Sequence, residues 1–210
     1  MRSRPTNTAW PVPDPGTRLV PALGLVLASA AALSAQEPYT PAPTGPAIGA
    51  NLIFQAFSGE DFETFHDGFG GTITGRYTAR SGFQLLGGVH YSIHGVTGGP
   101  GDVRFLEVFV DPRYVLELFN SERIVLLVAG RAAFVRQTLS GAALEGGASG
   151  LVLGGSMGGI YGLNRRLAVE LTLFFGGLWT DGVRAVEGAE KSGNGNVTTL
   201  QAGIVWSFPR

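Results

Sequence analysis

The chain has no cysteine. Disulfides, thiolate metal sites, a cysteine nucleophile and a lipidated N-terminal cysteine are therefore excluded. Charge is scarce as well: Asp, Glu, Lys and Arg make up 15% of the 210 residues, against roughly 25% in an average globular chain. The net charge of -1 leaves no basic balance that would suit nucleic acid. The only histidines are His66, His90 and His94, so any imidazole chemistry must use these. Beyond Ala35 no apolar run approaches the about 20 residues that a membrane-spanning helix needs. If that part of the chain crosses a membrane, it must do so as a closed barrel, the other structure that satisfies every backbone group in hydrocarbon.

Glycine, by contrast, is abundant, with 33 residues where a usual share is roughly 7%. Such content suits strands that bend or lie close to another backbone. The N-terminus has the layout of a secretory signal peptide. Arg2, Arg4 and Arg18 precede an apolar run from Leu19 to Leu33, and small residues follow at Ser34 and Ala35. That order predicts a cleavable signal over residues 1–35. Residues 36–46 contain Pro38, Pro41, Pro43 and Pro46 and read as an extended periplasmic leader. Residues 47–210 read as one domain.

In that domain the clearest stretch is FLEVFVDPRYVLEL, Phe105 to Leu118. Leu106, Val108, Val110, Pro112, Tyr114 and Leu116 alternate with Phe105, Glu107, Phe109, Asp111, Arg113 and Val115. Alternation of this length predicts a strand. Similar segments are expected at about Ile48–Phe57, Thr72–Arg80, Phe83–Gly95, Arg123–Thr138, Gly150–Leu163, Leu167–Thr180 and Val197–Phe208. Pro112 lacks a ladder donor, so a bulge or a place near the rim is expected there. The connections alternate between long (Ser58–Gly71, Val96–Val103, Leu139–Ser149, Asp181–Asn196) and short (Ser81-Gly82, Phe119–Glu122, Asn164–Arg166). The fold predicted is all-β: a closed, up-and-down antiparallel transmembrane barrel of about eight strands, with long loops outside and both termini periplasmic. Tyr77, Tyr91, Tyr114, Tyr161, Trp179, Trp206 and Phe208 fall near strand ends on the apolar face, where aromatic girdles belong. Arg76, Glu107, Asp111, Arg113, Arg131 and Glu170 fall mid-strand on the opposite face, which predicts a lumen network of ion pairs. A turn pairing Phe119 with Arg123 sets Asp111 opposite Arg131; a slip of two residues pairs Glu117 with Arg123 instead.

With its signal peptide, strand rhythm, Asp111-Pro112-Arg113-Tyr114 segment and Ile204-Val205-Trp206-Ser207-Phe208 ending, the chain resembles the small eight-stranded outer-membrane barrels of Gram-negative bacteria, the OmpA- and OmpX-like group. The resemblance covers about Ile48 to Phe208. It implies an outer-membrane location, membrane lipid as surroundings, and an insertion signal at Trp206 and Phe208 that the barrel assembly machinery reads. Pro209 and Arg210 depart from that pattern, whose last residue is the aromatic itself. The group has no shared activity, so the fold does not supply a function.

Three chemical readings can be weighed. Gly154-Gly155-Ser156-Met157-Gly158 matches the G-x-S-x-G elbow, but no helix is predicted after it and no histidine follows Ser156. His90 and Ser92 share a face, with Glu107 on the next strand, and resemble the His-x-Ser of lipid A deacylase barrels. In those barrels the triad faces lipid and an Asn follows the Ser; here Ile93 stands in that place, and the face shared with Gln84 predicts that the pair points inward. A metal site from His90 and His94 lacks a third ligand, and the acidic residues Glu60, Asp61, Glu63 and Asp67 read as a solvated loop. No metal or cofactor is expected. The function expected is a non-enzymatic outer-membrane barrel that presents surface loops and has a narrow or ion-pair-plugged lumen. The alternatives are a lipid A-modifying enzyme using His90 and Ser92, and an exported soluble ligand-binding barrel.

Overall fold

A computed structural model describes residues 44–59, 61–63, 65–97, 101–116, 123–141, 144–184 and 190–208. The expected signal peptide, most of the leader, the turn at Phe119 to Glu122 and the Pro209-Arg210 end lie outside these residues. Eight strands run in chain order: β1 (Gly45–Ser58), β2 (Phe65–Thr78), β3 (Phe83–Val96), β4 (Gly101–Leu116), β5 (Ile124–Gly141), β6 (Leu144–Gly162), β7 (Leu167–Arg184) and β8 (Glu190–Ser207). Each pairs antiparallel with the next, and β8 pairs with β1, from Ala47 opposite Ser207 to Ser58 opposite Asn196. The sheet is thus closed and has no edge.

Successive residues of a strand point to opposite sides of a sheet, and in a barrel those sides are lumen and exterior. The exterior takes the apolar set: Leu52 and Ile73 are 71% and 73% exposed, and Leu106, Val108, Phe134, Leu151, Met157 and Ile204 are exposed beside them. The lumen takes Asn51, Gln55, Thr74, Arg76, Asp111, Arg113, Arg131, Glu170 and Gln201, all buried. Polarity is therefore inverted relative to a protein folded around an oily centre. Apolar side chains enter the lumen in two groups. One, with Phe62, Val103, Phe105, Val135, Leu178 and Val197, lies toward the end where β1 meets β2. The other, with Ala47, Val115, Val125, Leu127, Ile160 and Val205, lies toward the chain termini. Polar and charged groups occupy the space between them.

Several expectations are corrected. The segments read as long connections are mostly ladder. β5 and β6 pair continuously from Ile124 opposite Tyr161 to Gly141 opposite Leu144, and β7 and β8 reach Arg184 opposite Glu190 after one irregularity between Thr180 and Val183. Asp67 belongs to β2, and Arg80 lies exposed in the β2–β3 turn rather than on the strand. Pro112 causes no bulge. It faces outward opposite Leu85, and the β4–β5 ladder skips positions 111 and 112 and resumes in the same register, Val110 opposite Ala132 and Arg113 opposite Ala129. A missing N–H costs the ladder a bond without adding a residue, so the strand need not bend.

Candidate functional site: the lumen

The inward face of β4 supplies Glu107, Asp111 and Arg113, two and four residues apart, so all three project into the same space. β5 brings Arg131 opposite Asp111. Its Nε donates to Asp111 Oδ1 at 2.8 Å and its Nη2 to Oδ2 at 2.9 Å. Arg113 Nη2 donates to the same Asp111 at 3.2 Å, and its Nη1 donates to Glu170 of β7 at 2.7 Å. Arg76 of β2 reaches Glu170 from the other side, Nη1 to Oε2 at 2.5 Å. The chain of contacts Arg76–Glu170–Arg113–Asp111–Arg131 thus joins four strands across the barrel. Gln201 of β8 extends it: with its amide oxygen turned toward Arg131, it accepts from Nη1 at 3.1 Å. Charge-assisted bonds of this kind are roughly twice as strong as neutral ones, and a buried guanidinium needs several of them to offset its desolvation.

Two phenylalanines hold the Arg131 end. Its guanidinium carbon is 4.0 Å from the centroid of Phe109 and 4.9 Å from that of Phe174. Such contacts gain strength where water is excluded. Space for the rings comes from glycine: a Cβ on Gly154 or Gly176 would stand 2.7 Å or 2.5 Å from Phe174 Cζ. Part of the glycine excess is therefore spent on bare backbone beside lumen aromatics.

Nearer the β1–β2 end lies a second polar cluster. Gln55 Nε2 donates to Glu107 Oε1 at 3.0 Å, and the Ser92 hydroxyl donates to Gln55 Oε1 at 2.7 Å. His94 Nδ1 donates to the His66 carbonyl at 3.0 Å, which leaves its Nε2 bare, 3.1 Å from Ser92 Oγ and 3.2 Å from Gln55 Oε1. Phe57 and Phe105 pack on the His94 ring at centroid distances of 4.8 Å and 5.1 Å. Phe62, from the acidic β1–β2 connection, stacks on Phe57 at 5.5 Å. Its neighbour Asp61 accepts from the Asn194 amide at 3.0 Å, tying that connection to β8.

The candidate residues are therefore sorted into two places. Arg76, Asp111, Arg113, Arg131 and Glu170 come together as one ion-pair chain. Glu107 is a correction: it hydrogen-bonds Gln55 and lies 3.8 Å from His90 Nδ1, apart from the arginines. His90 does not engage Ser92; among the described residues neither of its ring nitrogens has a hydrogen-bond partner. The histidine beside Ser92 is His94. Its inward placement was visible in the alternation, but its pairing through Gln55 on a strand far away in sequence was not. The triad reading also needs a carboxylate that orients the histidine beside the serine, and the Nδ1 of His94 faces the His66 carbonyl instead. Ser92, His90 and His94 are fully buried in the lumen and away from the exterior. Ser156 sits mid-strand in β6 facing the lumen, with no elbow. Among the described residues no three His, Asp or Glu side chains converge as a metal site. Trp206, opposite Ile48 and Leu167, and Phe208 stand exposed on the exterior where the last strand ends.

No protein-family model and no curated protein matches the sequence. Solved structures match the fold. Neisserial surface protein A aligns over 80% of this chain and 99% of its own, with a TM-score of 0.59 and 15% identity. The outer membrane protein OprG of Pseudomonas aeruginosa aligns over 82% and 100%, with a TM-score of 0.52 and 12% identity. Ail, the attachment invasion locus protein of Yersinia pestis, aligns over 79% and 99%, with a TM-score of 0.50 and 14% identity. Small eight-stranded outer-membrane barrels are thus the structural neighbours, and at these identities the likeness is one of fold.

Proposed function

We propose that the protein is an integral outer-membrane barrel, exported by its N-terminal signal, which acts without catalysis as a rigid anchor for the segments at its β1–β2 end and conducts no ions. One observation carries this reading: the inverted polarity. A monomer in water rarely exposes one contiguous apolar patch beyond a few hundred Å², whereas here the apolar exterior encircles the barrel. Hydrocarbon is the solvent such a surface fits. The likeness in fold to outer-membrane barrels agrees with it. An eight-stranded barrel is just wide enough for side chains to fill, and the ion-pair chain with its apolar groups on either side supports a lumen closed to ions. Trp206 and Phe208 are proposed as the features by which the assembly machinery recognises the last strand.

The lipid A-modifying alternative is disfavoured by the inward aim of Ser92 and by a His94 Nδ1 that faces the His66 carbonyl rather than a carboxylate. The soluble ligand-binding alternative is disfavoured by a charged interior, since such barrels line theirs with apolar groups. Fractionation tests the proposal. The mature chain is expected in the outer-membrane fraction, extractable only with detergent, with a gel mobility that shifts on boiling. A soluble periplasmic monomer would overturn it.

A further inference from the structure

Arg76, Arg113 and Arg131 are buried in the lumen, whereas two other strand arginines face outward. Arg104 on β4 and Arg136 on β5 are exposed on the exterior. Arg104 stands opposite Thr138, and Arg136 opposite Leu106. They are diagonal neighbours on adjacent strands, about 7–8 Å apart at the backbone. The next exterior pair toward the termini is Val108 opposite Phe134, 56% and 53% exposed, and the apolar belt continues from there. From Tyr114 to Arg104 the strand climbs about 25 Å along the axis, at roughly 3.3 Å per residue and a tilt of about 40°, which is about the height of a lipid-facing band. The two arginines therefore crown the belt at the β1–β2 end.

Among the described residues neither guanidinium forms an ion pair. Asp102, the acid on this face of β4, lies one step further from the belt. Neighbouring like charges repel, and an external anion between them reverses the sign. The planar fork of arginine fits a phosphate. Polar side chains flank the pair: Tyr91 opposite Leu106, Thr138 opposite Arg104, and Ser149 opposite Arg136. They supply hydroxyls at the height where a sugar would sit. We propose that Arg104 and Arg136 bind the phosphate of an outer-leaflet glycolipid, whose acyl chains lie down on Val108 and Phe134. This rests on the membrane reading above.

The test is native mass spectrometry of the detergent-solubilised barrel, comparing wild type with the double variant Arg104→Gln, Arg136→Gln. Each is titrated with bisphosphorylated lipid A, dephosphorylated lipid A and phosphatidylglycerol, after a boiling-shift gel has shown that both are folded barrels. Wild type should bind the bisphosphorylated lipid about tenfold or more tightly than the variant, and the two should bind the dephosphorylated lipid alike. Equal binding of the bisphosphorylated lipid by both proteins overturns the site. An equal advantage of wild type with phosphatidylglycerol overturns its assignment to a glycolipid. A chain that stays soluble without detergent refutes the membrane reading itself, a result the gel and extraction distinguish from a folded barrel indifferent to the phosphate.

Discussion

Asp111 accepts two hydrogen bonds from Arg131 on the neighbouring strand, at 2.8 Å and 2.9 Å, and a third from Arg113 on its own strand at 3.2 Å. One carboxylate thus serves two buried guanidiniums. Asp111→Ala strands Arg131 and leaves Arg113 with Glu170 as its carboxylate, and removing one partner of a fully buried pair costs about 3 to 5 kcal/mol. Arg131→Ala added to it takes away the stranded charge. The double variant is therefore expected to be more stable than the two separate losses would add up to, measured by urea unfolding of the barrel in micelles. Strictly additive losses would count against the pair.

Glu170 holds the other end of the chain, between Arg76 at 2.5 Å and Arg113 at 2.7 Å. Glu170→Gln keeps the shape and one acceptor oxygen but leaves the lumen with an uncompensated positive charge. A loss of about 2 to 4 kcal/mol is expected, of the size of a broken buried charge pair with part of its hydrogen bonding kept. Arg76→Met in the same chain should restore part of it. No recovery in that double variant would show that the two residues do not share an interaction.

How far the sequence could be read follows from where its signals are local. Alternation is a property of neighbours along one strand, so the inward set Arg76, Asp111, Arg113, Arg131 and Glu170 was visible without a fold. The register that joins Asp111 to Arg131 was one of two that a tight turn allowed, and the ladder between β4 and β5 selects it. Gln55, Phe62 and His94 belong to contacts between strands far apart in the chain, for which no local period exists. The outer ends of β5 to β8 were read as loops for a different reason. Residues 139–149 and 181–196 show little apolar–polar alternation, so the two-residue contrast fades while the ladder continues.

Glycines next to lumen aromatics should be sensitive, and those facing open space should not. At Gly176 a methyl group would meet Phe174 Cζ at 2.5 Å and the Leu153 carbonyl at 2.7 Å, whereas at Gly75 nothing lies within 4 Å. Gly176→Ala is expected to lose about 1 to 3 kcal/mol through overpacking. Gly75→Ala should be neutral or gain up to about 1 kcal/mol through a less flexible unfolded chain. Paired unfolding curves check the contrast, and equal effects would refute it.

The proposed closure of the lumen predicts an electrical result. In planar bilayers the wild type should show no steady single-channel current if, as proposed, ion pairs and apolar side chains close the eight-stranded interior. Large, stable currents from the wild type would refute the proposal. Replacing Arg131, Phe109 and Phe174 together with Ala removes three large side chains of the middle layer, a guanidinium and the two rings that pack on it. That variant is the one expected to leak if it still shifts on boiling.

The end of the last strand gives an assembly test. Replacing Trp206 and Phe208 with Ser removes two exposed aromatics, while replacing Thr199 and Gln201 with Ser alters only buried lumen positions. The first double variant should yield less inserted barrel in cells. Equal yields would argue against a role for the aromatics in recognition.

The β1–β8 seam has a consequence for how the molecule comes into being. Ala47 pairs with Ser207 and Ser58 with Asn196, so the contacts that seal the sheet join the most distant strands of the sequence. Loop-closure entropy must be met before those bonds form, which makes such pairing slow. Until then β1 and β8 both present unpaired N–H and C=O groups, a template on which a second chain can add. Substitutions along this seam should therefore act mainly on the rate of folding and on aggregation of the partly folded chain. Those in the Asp111–Arg131 neighbourhood join strands adjacent in sequence, and should act mainly on the stability of the finished barrel.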